Sequence, residues 1–235
     1  MNSAIRILFR TLILALVVGI VVVFALLIRT AVVGNRSNVP RSYVERAYMD
    51  AVEAVKVDPK NAKARIALAK AYIALGRYGD AIEQALIATK LDRKSMDAFT
   101  TLGIAYNKAG KYDDAIKTLE KAVKMQGLGD IQGMAYENLA QAYEAKGNLE
   151  KSIACYENAY TQLQEDINIG YEYAAALEKA GKIQEAIYIY QDIVAYVPTE
   201  QKAKDELIRL NAKLEAERNK QTPKASSASS DTVKR

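Results

Sequence analysis

Residues 71–82 read AYIALGRYGDAI, and the pattern returns three times along the chain. Residues 105–116 read AYNKAGKYDDAI, residues 142–153 read AYEAKGNLEKSI and residues 175–187 read AALEKAGKIQEAI. Their glycines fall at Gly76, Gly110, Gly147 and Gly181, spaced 34, 37 and 34 residues apart. A helix-period apolar pattern precedes each glycine and another follows it, so each unit reads as helix, tight turn, helix. Glycine at the turn can take the positive φ that ends a first helix.

Positions around each glycine follow a packing logic. Eight residues before it stand Leu68, Leu102, Leu139 and Tyr173, large enough to fill the space between helices. Next come Ala69, Gly103, Ala140 and Ala174, small enough for close backbone approach, then Tyr72, Tyr106, Tyr143 and Leu177 on the same face. In the second helix Ala81, Ala115, Ser152 and Ala186 are again small, and seven residues on come Ala88, Ala122, Ala159 and the neighbourhood of Val194. Pro59 and Pro198 close second helices.

A unit of 34 residues with Leu-small-x-x-Tyr, Gly-x-Tyr and Ala resembles the tetratricopeptide repeat. Four units match, at 62–95, 96–132, 133–166 and 167–200, so residues 61–200 form the repeat region. Arg65, Phe99, Tyr136 and Gly170 stand where the family carries Trp, and GLGDIQ makes the approach to the third unit three residues longer. That insertion predicts a longer loop and a small break in regularity. Residues 42–60 read as a capping half-repeat with Ala47, Ala51 and Ala54 on one face. Residues 200–219 read as a C-terminal capping helix with Ala203, Leu207, Leu210 and Leu214 in a stripe, which a stacked array needs over its last apolar face. Residues 220–235 are serine-rich and expected to be disordered. The fold class implied is all-α, a right-handed α-solenoid of about four helix-turn-helix repeats behind an N-terminal transmembrane helix.

The transmembrane expectation rests on Thr11 to Ile28, TLILALVVGIVVVFALLI, 18 residues without a charge. As a helix it would span about 27 Å, close to the hydrocarbon core of a bilayer. Apolar neighbours extend it to 7–33, with Arg10 and Arg29 at the edges. The run is longer than the apolar region of a signal peptide and lacks a small-x-small cleavage site, so it reads as an uncleaved anchor. Two arginines before it and three soon after leave its orientation undecided. Residues 34–41 read as a linker. The expected location is therefore a membrane, by a single pass, on an unassigned side.

Composition excludes much else. The 235 residues contain no His and one Cys, Cys155, which removes His triads, His general bases and Cys-rich zinc sites. No Gly-rich phosphate loop is visible. The net charge of +5 comes from the ends: residues 62–198 carry 16 basic and 18 acidic groups, which gives a nucleic-acid reading little support. No cofactor, metal, small-molecule substrate or enzymatic activity is expected.

The resemblance implies binding of a protein or peptide partner on a concave face lined by first helices. Outside the packing stripe these helices offer Lys63, Ile66, Lys70 and Ile73, then Asp97, Thr100, Ile104 and Asn107. The third offers Met134, Glu137, Gln141 and Glu144, and the fourth Asn168, Tyr171, Ala175 and Glu178, with Tyr171 as an aromatic anchor. Chaperone-tail binders of the family clamp a terminal carboxylate with Lys, Asn and Arg, and most of that clamp is absent here. Residues 62–127 carry a net +5 and residues 128–198 a net −7, a polarity that either steers a partner's register or belongs to solvated outer faces. The function implied is a membrane-anchored interaction scaffold; the alternative is a structural or assembly subunit of a membrane protein complex.

Overall fold

A computed structural model describes residues 42–125, 129–163 and 166–221. Among these are ten helices and no strand: α1 (Tyr43–Val57), α2 (Ala62–Ala74), α3 (Tyr78–Leu91), α4 (Met96–Lys108), α5 (Tyr112–Val123), α6 (Asp130–Ala145), α7 (Leu149–Gln162), α8 (Ile167–Lys179), α9 (Ile183–Tyr196) and α10 (Gln201–Gln221). The chain divides into units 1–46 and 47–235. Of the first, only 42–46 are described. There the Ser42 hydroxyl accepts from the Glu45 N–H (3.1 Å) while the Glu45 carboxylate accepts from the Ser42 N–H (3.3 Å), a capping box.

In the second unit, α2/α3, α4/α5, α6/α7 and α8/α9 are the four helix pairs read from the glycine spacing. Each intra-pair turn closes in the same way. Gly76, Gly110, Gly147 and Gly181 have φ of 73°, 73°, 76° and 77°. The next residue's N–H reaches back to the carbonyl of Tyr72, Tyr106, Tyr143 or Leu177 at 2.9 Å, the Schellman arrangement. Three of the four first helices start on side-chain caps: Asn61 accepts from the Ala64 N–H (3.1 Å), Ser95 from Ala98 (3.1 Å) and Asp166 from Asn168 (2.9 Å), whereas α6, with Gly129 at the cap position, starts without one.

Small residues sit where the helices cross. Ala69, Ala140, Ala174, Ala81, Ala115, Ser152, Ala186, Ala88, Ala122 and Ala159 are all fully buried. In the fourth pair the corresponding place belongs to Ile193, also buried, while Val194 is half-buried. The larger side chain fits because Gly170 lies opposite: a Cβ there would come within 2.9 Å of Ile193 Cδ1. Gly103 gives way to Leu119 in the same manner, with 2.3 Å between a would-be Cβ and Leu119 Cγ.

The insertion before the third unit lengthens the loop, as expected, and the helix after it: residues 124–129 separate α5 from α6 where 92–95 separate α3 from α4 and 163–166 separate α7 from α8. α6 has 16 residues where α2, α4 and α8 have 13, so it gains a turn at its start. On α1 the packing side is Ala51, buried, with Tyr48 against Tyr72 (ring centroids 5.3 Å); Ala54 is exposed and does not belong to it. α10 covers the last pair with Ala203 and Leu210 fully buried and Leu207 and Leu214 partly so. No described helix is long and apolar enough to cross a membrane. The anchor expected at 7–33, the linker at 34–41 and residues 222–235 of the tail lie outside the described residues.

Candidate functional site: the face of the first helices

The first helices α2, α4, α6 and α8 stand side by side, α4 in close backbone contact with both α2 and α6. Between α6 and α8 the bridge is made by long side chains. The Gln141 amide donates to Glu137 (3.0 Å) and to Glu172 (3.1 Å), and Lys179 pairs with Glu144. Like charges on Glu137 and Glu172 therefore face each other across one neutral amide. Burial raises the Glu137 carboxyl to about 7, helped by the fields of Glu172 and Asp166 and opposed by Lys108.

The residues expected along this face fall into three groups. Ile66 and Thr100 are buried, with 5% and 2% exposure, because that helix position faces the neighbouring helices; they support the face from beneath. A second group is tied across repeats. Lys70 pairs with Asp97 (2.8 Å), Asn107 Nδ2 donates to the Asn138 carbonyl (2.6 Å), and Glu178 takes two hydrogen bonds from Arg209 (2.8 Å each). Glu144 also accepts from the Tyr156 hydroxyl (3.3 Å). The third group remains at the surface: Lys63, Met134 and Asn168 are exposed, and Ile73, Ile104 and Ala175 are half-buried. Lys63 takes part in no described ion pair.

Tyr171 is held by the cap. Its hydroxyl donates to Glu200 (3.0 Å), Lys202 Nζ sits 4.0 Å from the ring centroid, and the Tyr190 ring is 5.8 Å away. Tyr143, Tyr156 and Tyr190 are buried in the core, while Tyr72 and Tyr106 are half-buried. Cys155 is buried and its thiol is raised to about 11 by burial and by Glu120, which leaves it unreactive at neutral pH.

Sequence reading missed the partners that neutralise the face: Asp97 with Lys70, Lys179 with Glu144 and Arg209 with Glu178. Their signal was present as opposite charges 27, 35 and 31 residues apart, close to one repeat. Among the described residues no cluster of acidic or thiol side chains is placed to hold a metal ion.

Comparison with known proteins agrees with the helical fold. Residues 94–165 match the tetratricopeptide repeat model, and residues 43–122 match that of anaphase-promoting complex, cyclosome, subunit 3. No curated protein sequence matches the chain. Among solved structures, pilF of Pseudomonas aeruginosa superposes with a TM-score of 0.61 at 20% identity, over 75% of this chain and 78% of that one. MamA superposes with a TM-score of 0.56 at 24% identity, over 71% of this chain and 99% of that one. YrrB, described as a tetratricopeptide-repeat protein with an unusual peptide-binding site, gives 0.57 at 17% identity, over 70% and 84%. At these identities the shared property is the fold. Residues 94–165 are thus similar to the tetratricopeptide repeat, and the helical array shares its fold with these solved structures.

Proposed function

We propose that this protein is a membrane-tethered interaction scaffold that receives a partner protein or peptide along the face of α2, α4, α6 and α8. The observation that carries the reading is the row of four first helices, on which Lys63, Met134 and Asn168 are exposed and Ile73, Ile104 and Ala175 are half-buried. Proteins of this fold generally mediate protein–protein contact, and YrrB carries a peptide-binding site on it. The tether rests on the uncharged run from Thr11 to Ile28. The scaffold performs no chemistry of its own; its role is to hold partners at the membrane.

Much of the charge on the face is spent between repeats, which narrows the surface available to a partner. Lys63, Met134, Asn168 and the Ile73–Ile104 strip are the contact points. Lys63→Glu is expected to reduce capture of a membrane partner, more at low salt than at high salt. Lys111→Glu, on the turn before α5, is expected to leave capture unchanged. Deleting residues 1–33 is expected to move the protein into the soluble fraction with its helicity intact. Capture from solubilised membranes, with mass spectrometry of what is retained, reads the first two. Equal loss from both charge reversals would remove the groove assignment. A partner that never exchanges and purifies in fixed stoichiometry would favour a structural subunit instead.

A further inference from the structure

A cavity of about 370 Å³ lies between the second helices α7 and α9 and over α8. None of the first-helix face residues lines it. Its walls carry three aromatic rings, Tyr160, Tyr173 and Tyr188, and three carboxylates, Glu157, Glu185 and Asp192. No lysine or arginine is among its lining residues.

Three features show that this junction differs from the others. Position 170 is Gly where the earlier repeats carry Arg65, Phe99 and Tyr136, and a Cβ there would lie 3.1 Å from Tyr160 Cε2. The missing side chain thus leaves room for the Tyr160 ring. Tyr173 replaces the Leu68, Leu102 and Leu139 of the other repeats. Tyr188 and Asp192 stand where the second repeat has Lys117 and Lys121, so two cations are exchanged for a ring and a carboxylate.

The contacts hold the walls in place while leaving charge uncompensated. Tyr160 and Tyr173 meet at 6.1 Å with planes tilted by 48°, and the Tyr160 hydroxyl donates to Asp192. Glu185 pairs with Lys182 (3.2 Å), whereas Glu157 is in no described ion pair. Burial, helped by the fields of Glu157 and Glu185, raises the Tyr173 hydroxyl, so the ring stays neutral. A cation is attracted both to the faces of such rings and to the carboxylates around them.

We propose that this cavity is a docking site for an arginine side chain of a partner protein. Arginine fits better than lysine, because a planar guanidinium stacks on tyrosine and presents a fork of donors to carboxylates. This site is separate from the first-helix face, and its test does not depend on what binds there.

The test uses the full chain in detergent micelles, tyrosine rings isotope-labelled, titrated with acetyl-Gly-Arg-Gly-amide and with its uncharged citrulline counterpart. The arginine peptide is expected to shift the Tyr160 and Tyr188 ring signals saturably, and the citrulline peptide to bind about tenfold more weakly or not at all. Tyr188→Ala and Glu157→Gln, both at exposed positions, should each weaken the arginine peptide several-fold with the helical circular dichroism unchanged. Equal binding of the two peptides, shifts at Tyr171 in place of Tyr160 and Tyr188, or full affinity in both variants would overturn the proposal.

Discussion

Gly103 and Leu119 show how single residues fix the spacing between helices. A Cβ on residue 103 would meet Leu119 Cγ at 2.3 Å, closer than carbon atoms can approach. Gly103→Ala alone is therefore expected to destabilise the fold by about 1–3 kcal/mol, the usual cost of overpacking. In a Leu119→Ala background the clash is gone and only the helix preference of Ala remains, so the same change should then stabilise by up to about 1 kcal/mol. Urea unfolding of the four proteins reads this sign reversal. Glu137 makes the electrostatic case. Its carboxyl titrates at about 7 in the folded chain, above its ordinary value of 4.5, chiefly because burial disfavours the charge. The folded state thus binds more protons between those values, and the stability from Glu137 is full below pH 4.5 and lost as pH rises through 7. Glu137→Gln should flatten that slope and stabilise the protein at pH 8 by about 1 kcal/mol, after allowing for screening by water. A melting-temperature profile from pH 4 to 8 that is identical in both proteins would contradict it.

At the scale of elements, the turn glycines and the helix-interior glycines do different work. Gly110 has φ of +73° with nothing within 4 Å of a would-be Cβ, so Gly110→Ala costs only the left-handed conformation, about 1–2 kcal/mol. Gly79 is the second residue of α3, with equally open space and no positive φ, so Gly79→Ala should stabilise, by up to about 0.5 kcal/mol. Thermal unfolding of the two variants should move in opposite directions. This turn geometry explains why the helix pairs were legible in the sequence: four glycines in register, each flanked by small residues at fixed offsets, leave little other reading. The face of the first helices was less legible. Taking every position outside the packing stripe as open ignores the next repeat, and the next repeat buries Ile66 and Thr100 and engages Lys70, Glu144 and Glu178. The fit of Ile193 against Gly170 was hidden for the same reason. Each is a departure from the pattern by itself, and they make sense only as a pair in space.

For the molecule as a whole, each helix pair touches little beyond its neighbours, so stability is expected to be a sum of pair and interface terms. The last interface is the most exposed to a simple test. α10 contributes the fully buried Ala203 and Leu210 and ties itself to the fourth pair through Arg209 and Glu178 and through Lys202 over Tyr171. Ending the chain after Glu200 would uncover Ile193 and Tyr190, at present 1% and 4% exposed within the cluster that also holds Ala203 and Leu210. Loss of two or so leucine-sized burials corresponds to about 3–6 kcal/mol at that end. A globally cooperative domain would pass this cost to every helix alike. A nearest-neighbour array should not: amide hydrogen exchange is expected to quicken most in α8 and α9, less in α6 and α7, and least in α2 and α3. Uniform acceleration across all helices would show that the repeats unfold as one body, and that the interface between α6 and α8, though bridged by side chains, transmits stability as well as the closer contacts do.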